Sequence, residues 1–490
     1  MARVAIPAGF RVAAGATGGS SDPGDQRPRV RLTRSLADRR HTVGARFVLT
    51  TLDQGIASLS NFGVGVAVAR IGGIAALGAY SLAYIVWLVL ADVHRSVVTD
   101  PMAIENDLRG GGDVARSIRL GLAAELGLGA ALGAALALVG LVLWLTGQQL
   151  YGTAFLALAP WLPFLLAQDY WRWVAFMRAT PGHALANDLV FDAVQAAAFA
   201  ALFFVGLHSS VLAIAAWGSG AVAGAGFGLW QHSIRPAWRG GFDLIRRRWR
   251  MSRWILAGAV TTWGGSNLYV VLTGVFLGPA GIGGLRAAIS LVSGPSLVLV
   301  QAGGSVGLPE ASKALQERGW PGLRRVQRVV TVAGMASVGA IGLVVLLFGH
   351  RLLVALYGPG FGHFAAAADL QAFGVLAGTV SLGAVLSLKT TRRTGNLFWS
   401  SGLSLVVSVV AVVVLVPLFG VEGAAGSSVA KNLTSSSTYL ALHRKYSRRA
   451  AEERYAREWS GDDAGTEPPT PELAGTGDEP AAATARGSDR

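Results

Sequence analysis

Residues 47–73 read FVLTTLDQGIASLSNFGVGVAVARIGG, and after a short connection residues 78–101 read GAYSLAYIVWLVLADVHRSVVTDP. Each segment is long and apolar enough to cross a bilayer, which takes about 20 residues at helical rise. The first holds Asp53, Gln54, Ser58, Ser60 and Asn61 inside its apolar run. Polar groups there are expensive and either join helices or serve function. A second version follows much later: SNFGVGVAVARIGGIAALGAYS from Ser60 matches SNLYVVLTGVFLGPAGIGGLRAA from Ser266. Aligned without gaps, Ser60, Asn61, Gly72 and Gly78 fall on Ser266, Asn267, Gly278 and Gly284, Tyr80 falls on Arg286, and Asp53 on Ala259.

The rest of the chain agrees with a membrane setting. Apolar residues make up 52% and charged residues 14% of the 490, with a mean hydropathy of +0.48. Soluble chains carry about 25% charged residues. Hydropathy places spans at roughly 47–68, 75–98, 119–146, 152–175, 186–207, 209–230, 253–276, 284–305, 327–349, 365–388, 396–418 and 424–442. The predicted fold is all-α and polytopic, with about twelve transmembrane helices in two six-helix lobes related by the repeat. The net charge of +14 gathers in RPAWRGGFDLIRRRWRMSR (235–253), 95–119, 310–328 and KTTRR (389–393). Basic connections mark the cytoplasmic side, so both termini are expected in the cytoplasm.

These features set the expected divisions. Residues 1–45 form a disordered basic arm, 46–231 the first lobe, 232–252 a basic cytoplasmic linker and 253–443 the second lobe. Residues 444–490 form a tail, of which 443–459 suits an amphipathic helix on the inner leaflet and the remainder is disordered. Gly129 with Gly133, and Gly220 with Gly224 and Gly228, place small residues on single helical faces where backbones can approach closely. Asp169 and Arg172 are spaced to pair on one helix, and Asp188 and Asp192 sit where acidic charge suits a helix start.

Catalysis is not expected. With no cysteine there is no disulfide, thiolate site or cysteine nucleophile, and the eight histidines show no ligand spacing, so neither a metal nor a cofactor is predicted. No glycine-rich phosphate loop or nucleophile elbow is present, and no nucleic-acid partner is indicated. Gln54, Ser58, Asn61 and Gly65 are spaced 4, 3 and 4 and form one polar-to-small stripe bordered by Asp53. Thr261 to Asn267 give a similar face in the second copy. Facing each other, the two would line a hydrophilic cleft; hydrogen bonding within each lobe is the competing reading. Arg70 and Arg286 each offer a guanidinium suited to a phosphate or sugar, although single arginines at helix ends also snorkel. Asp92, His94 and Arg95 close the inner end of span two, and Gln301 lies in span eight. The candidate cavity residues are thus Asp53, Gln54, Ser58, Asn61, Arg70, Asp92, Arg95, Asn267, Arg286 and Gln301.

The opening FVLTTLDQGIASLSNFGVGVAVARIGGIAALGAYSLAY (47–84), with LYGPGFGHFAAAADLQAF (356–373) and VPLFGVEGAAGSS (416–428), resembles the polysaccharide flippases of the multidrug/oligosaccharidyl-lipid/polysaccharide superfamily. The resemblance covers roughly 45–445 and implies two six-helix lobes in a V that alternate between inward- and outward-facing states. It implies a multi-pass protein of the bacterial cytoplasmic membrane that moves a lipid-linked oligosaccharide or surface-polysaccharide precursor. Membrane lipids, a coupling cation (proton or sodium) and polysaccharide-synthesis enzymes are the further partners it implies. A cation-coupled multidrug antiporter, and a membrane scaffold for polysaccharide synthesis, are the alternatives.

Overall fold

The computed structural model describes the backbone of residues 31–108, 114–178, 180–207, 209–391 and 394–459; side chains at 31–54, 105–108, 297–306, 309, 392–396, 398 and 448–459 lie outside the description. The chain divides into two compact units, 1–48 and 49–490. In the first, the backbone is helical from Arg31 onward, within the stretch expected to be disordered. The second is the membrane body.

Among the described residues the body holds nine helical runs long and apolar enough to span a membrane. Three of these, Gly55–Ile104, Gly241–Ser296 and Trp399–Ser447, are each about twice the needed length. Each is broken well inside the run by one glycine in the left-handed region: Gly73 (φ 74°), Gly278 (φ 68°) and Gly420 (φ 60°). Residues with a Cβ avoid that region, so glycine is what lets the chain reverse there. A fourth long run, Glu310–Tyr357, turns at Gly319 close to its start and crosses once. Six single crossings and three double ones make twelve, as the hydropathy predicts. The protein is a multi-pass, all-α membrane protein with two six-helix lobes.

In chain order the helices are α1 (Arg31–His94), α2 (Asp100–Leu108), α3 (Val114–Leu145), α4 (Gln149–Leu158), α5 (Leu162–Met177), α6 (Pro181–Val205), α7 (Ser210–His232), α8 (Gly241–Tyr357), α9 (Ala365–Thr379), α10 (Leu382–Thr390) and α11 (Thr394–Trp459). A single π-helical turn, Arg95–Thr99, joins α1 to α2. The helix of α11 runs on through 443–459. Leu138, Phe203, Phe204, Leu346, Leu347 and Val410 lie exposed, an apolar exterior that belongs in lipid.

Small residues set the close helix contacts inside the lobes. A Cβ on Gly129 would lie 2.9 Å from Pro163 Cα, and one on Gly133 would lie 2.8 Å from the Ala159 carbonyl oxygen. Gly220 and Gly224 press on α5 and α6 in the same way, and Gly228 on the Trp171 ring. The stripes are therefore the seams along which α3 meets α4–α5, and α7 meets α5–α6.

The two lobes meet where the chain reverses at Gly73 and Gly278. A Cβ on Gly78 would strike the Pro279 carbonyl oxygen and lie 3.1 Å from Gly283 N; one on Gly283 would strike the Ile74 carbonyl and lie 3.1 Å from Gly78 N. This reciprocity fixes the repeat: Gly73, Ile74 and Gly78 correspond to Gly278, Pro279 and Gly283. The gapless alignment is thus one residue out of register. Adjacent glycines in both copies (Gly72–Gly73, Gly283–Gly284) allow either pairing in sequence, and only the left-handed turn distinguishes them. Arg286 accordingly corresponds to Ser81 rather than Tyr80, and Asp53 to Gly258 rather than Ala259.

Candidate functional site

Between the lobes lies a cavity of about 380 Å³. Its first wall is α1, which supplies Ser58, Asn61 and Phe62 before Gly73 and Tyr84 and Trp87 after it, with Arg172 from α5. Its second wall is α8, with Arg286, Ser290, Ser293 and Gly294. Residues 286, 290 and 293 are spaced 4 and 3, as are 80, 84 and 87, so each set lies on one helical face. Ser58 Oγ donates to the Gly294 carbonyl at 3.2 Å and so bridges the lobes across the cavity.

The two cavity arginines differ in their partners. Arg172 Nε lies 2.9 Å from Asp188 Oδ2 in a largely buried pair. Arg286 forms no ion pair with a described residue; its guanidinium sits 5.0 Å from the Tyr84 ring centroid. Tyr84 is held by Trp217 at 5.9 Å and Trp87 at 5.4 Å, and Tyr80 packs on both Tyr84 and Trp217. A packed aromatic block therefore positions a cation without neutralising it. The cavity carries a net positive charge at Arg286.

A second space of about 520 Å³ lies on the opposite side of the same α1 stretch. Leu82, Ile85, Val86 and Val89 face it from α1, and Trp263, Val271 and Val275 from α8. Its lining is almost wholly apolar. Val275 is exposed, so this groove opens sideways.

Buried polar networks back the first wall. Ser60 Oγ donates to Asp192 Oδ1 at 2.6 Å, and Gln195 Nε2 donates to both. Gln168 Nε2 donates to Asp188 Oδ1 at 2.7 Å and to Asn187 Oδ1 at 3.2 Å, while Asn187 Nδ2 donates to the Gly224 carbonyl. Asp188 and Asp192 thus hold α6 to α5 and α1 rather than merely favouring a helix start. Asp169 and Arg172 do not pair either: Asp169 turns to His94 and Arg95, and Arg172 to Asp188. Neighbouring helices offer both residues a partner closer than each other.

The expected site residues separate accordingly. Ser58, Asn61 and Arg286 come together in the cavity. Arg70 sits near the lobe contact, where its Nε donates to the Leu356 carbonyl at 2.7 Å and its Nη2 to the Ala355 carbonyl. Asn267 donates to the Trp263 carbonyl one turn back in its own helix. Asp92 and Arg95 lie 3.6 Å apart at the end of α1 remote from Gly73. The side chains of Asp53, Gln54 and Gln301 fall outside the described residues. Among the described residues no group of three or more His, Asp or Glu side chains is arranged to hold a metal ion. Tyr84, Trp87, Ser290 and Ser293 join the site without having been expected there; their shared spacing on helix faces was the available signal.

No family model matches the chain, and no curated protein matches it in sequence. Solved structures do. A multidrug resistance transporter of the MATE family, MOP superfamily, in an inward-facing conformation superposes with a TM-score of 0.68 at 12% identity, covering 81% of this chain and 95% of its own. The lipid II flippase MurJ, in an inward closed conformation, gives 0.64 at 10% identity, covering 82% and 87%. A MOP superfamily transporter from Pyrococcus furiosus Vc1 gives 0.55 at 13% identity, covering 82% and 95%. The chain has the MOP transporter fold. The likeness covers about four fifths of the chain.

Proposed function

We propose that this protein translocates an amphiphilic, anionic lipid-linked sugar across the cytoplasmic membrane by alternating access. One observation carries the reading: a cavity of mixed lining, with Arg286, Asn61 and three serines set among apolar side chains, and an apolar groove share the α1 stretch 82–90. A phosphate-bearing head group fits the Arg286 side, where Ser58, Asn61, Ser290 and Ser293 offer hydroxyl and amide partners for sugars. A hydrocarbon chain fits the other side, at roughly 25 cal/mol per Å² of apolar surface removed from water. The solved structures of this fold include a flippase for lipid II, which supports a lipid-linked cargo. The positive-inside pattern supports a cytoplasmic position for both termini and the basic connections. On that reading the lobe contact at Gly78 and Gly283 lies on the outer side, which supports an inward-facing state. Either proton or sodium would serve as a coupling ion, and the lipid bilayer and polysaccharide-synthesis enzymes are the natural partners.

A flipping assay in sealed vesicles tests this. Lipid-linked oligosaccharide with a fluorescent sugar should become accessible on the opposite face only with protein present. Transport of cationic dyes in the absence of lipid flipping would replace the reading with the multidrug antiporter, whose fold the chain equally shares. Flipping lost on removal of residues 1–44 and 444–490 would favour the scaffold.

A further inference from the structure

We propose that His94, Glu125 and Asp169 form a proton-binding site that ties protonation to the packing of α1 against α3 and α5. The inference deepens the transport reading, since it names the coupling ion, but it rests on separate residues from the cargo cavity.

His94 is wholly buried, with Nδ1 2.7 Å from Glu125 Oε2 and Nε2 2.7 Å from Asp169 Oδ2. A neutral imidazole has one N–H and one lone pair. Two ionised carboxylates on a neutral ring would set a lone pair against an anionic oxygen at hydrogen-bond distance. The geometry therefore requires one proton more than that state contains. Asp169 is already compensated: Arg95 Nε donates to its Oδ2 at 2.8 Å and Nη2 to its Oδ1 at 2.7 Å. Glu125 has no such partner, and its Oε1 is buried without any hydrogen bond. The extra proton is accordingly shared along the His94–Glu125 contact, either as imidazolium with carboxylate or as imidazole with carboxylic acid. Both forms hold the same proton count.

The surroundings make that proton consequential. Val98, Met102, Ile118, Leu122 and Trp171 pack with Tyr170, whose hydroxyl donates to the Ile118 carbonyl at 2.7 Å, in one buried cluster on the same chain stretches. Loss of the proton would leave an unmatched anion where neither water nor a second donor reaches Glu125. The contact must then break, and with it the hold of α1 on α3. The π-helical turn Arg95–Thr99 begins directly after His94. Such turns are single-turn irregularities often found at functional sites. The other titratable and charged groups around the cluster are Asp92 and Asp100 on its own chain stretch, Arg172 from α5 beside Arg95, and Tyr170, which faces Glu125 with Arg248 of α8 beyond it. Arg95 is 28% and Asp92 39% exposed, so the rim of the cluster reaches open space while its centre does not. From Gly73 to His94 the helix climbs roughly 30 Å. The site therefore sits at the end of the lobe opposite the Gly78–Gly283 contact.

The chain lacks cysteine, so a labelled pair is introduced directly. Spin labels at Ile104→Cys, which is exposed, and Gly182→Cys, where an added Cβ meets nothing within 4 Å, report the ends of α1–α2 and α6. Distances are recorded in nanodiscs from about pH 5 to about pH 9, with no cargo present. The parent pair is expected to show two conformers, with the packed one losing ground as pH rises by up to about tenfold per pH unit, the limit for linkage to a single proton. In Glu125→Gln the amide donates to His94 Nδ1 without a shared proton, so the ratio should change less than about twofold over the range. His94→Gln serves the same comparison if that variant does not fold. A parent that does not respond to pH overturns the proposal regardless of the variants. So does a response that persists unchanged in either variant. Because no cargo is used, this failure leaves the flipping result untouched, and a failed flipping assay leaves the proton site standing.

Discussion

Gly78 and Gly283 stand backbone to backbone across the lobe boundary, the space for a side chain on each being filled by a backbone carbonyl of the other lobe, Pro279 for Gly78 and Ile74 for Gly283. The relation is reciprocal because the two residues are equivalent in the internal repeat, so a single change at either position blocks the contact. Gly78→Ala must displace the Pro279 carbonyl, a backbone atom on a turn that cannot yield as a side chain would. Overpacking of this kind costs about 1–3 kcal/mol, which is roughly 5- to 150-fold in the population of the closed contact. An Ile74→Cys/Gly360→Cys pair reports it, since a Cβ on Gly360 would lie 3.4 Å from Ile74 Cδ1. Disulfide formation in that pair should fall about tenfold or more when Gly78→Ala is added. An unchanged rate would mean that the two lobes do not close through these glycines.

Arg70 and Arg286 look interchangeable in sequence, and the structure assigns them opposite tasks. Arg286→Ala removes the cavity charge that no described carboxylate offsets and should weaken binding of a pyrophosphate-bearing lipid by about 1.5–3 kcal/mol, roughly 10- to 150-fold, measured as Kd in nanodiscs. Arg70→Ala removes donors from the Leu356 and Ala355 carbonyls and should leave that Kd within about twofold while loosening the closed end around Ile74 and Gly360. In cross-linking of Ile74→Cys with Gly360→Cys the order reverses, with Arg70→Ala having the larger effect. Equal losses of cargo affinity in both variants would show that Arg70 also reaches the cargo.

How much of this was legible follows from what each signal depends on. The span count depends on length and apolarity, which are local, and all twelve crossings were readable. The small-residue faces at Gly129 and Gly220 were readable for the same reason. The register of the repeat was not, because it depends on which of two adjacent glycines takes the left-handed turn. Nor were the partners of Asp169 and Arg172: spacing offers them each other, but His94, Arg95 and Asp188 reach them from other helices. Glu125 carried no motif at all, and only packing of α3 against α1 gives it a role. The cavity wall at 286, 290 and 293 was readable in principle, from the 4-and-3 spacing that sets two serines on the helical face of Arg286.

Gly224 and Gly226, two residues apart on α7, should respond oppositely to the same change. A Cβ on Gly224 would lie 2.7 Å from Gln168 Cγ, whereas one on Gly226 meets nothing within 4 Å. Gly224→Ala should therefore destabilise by about 1–3 kcal/mol, and Gly226→Ala should be neutral or stabilise by up to about 1 kcal/mol through helix propensity. Thermal unfolding in one detergent compares them. Equal melting temperatures would remove α7's tight seam from the account.

The pair Arg172–Asp188 places two charges where Asp188 is almost fully buried, so its removal has an asymmetric cost. Asp188→Leu leaves the Arg172 guanidinium without the carboxylate 2.9 Å from its Nε, and Arg172→Met leaves the buried Asp188 carboxylate without that guanidinium, beside the neutral Gln168 amide. Breaking a buried pair from one side costs about 3–5 kcal/mol, while replacing both members by apolar groups of similar volume is often neutral. Each single variant should thus melt well below the parent, and the double variant Arg172→Met/Asp188→Leu should recover most of the loss. Transport discriminates further. Arg172 lines the cavity as well as holding α6, so a double variant that folds like the parent yet moves cargo more slowly would assign its guanidinium to the cargo path. A double variant with parental stability and parental flux would confine the pair to holding α5 against α6.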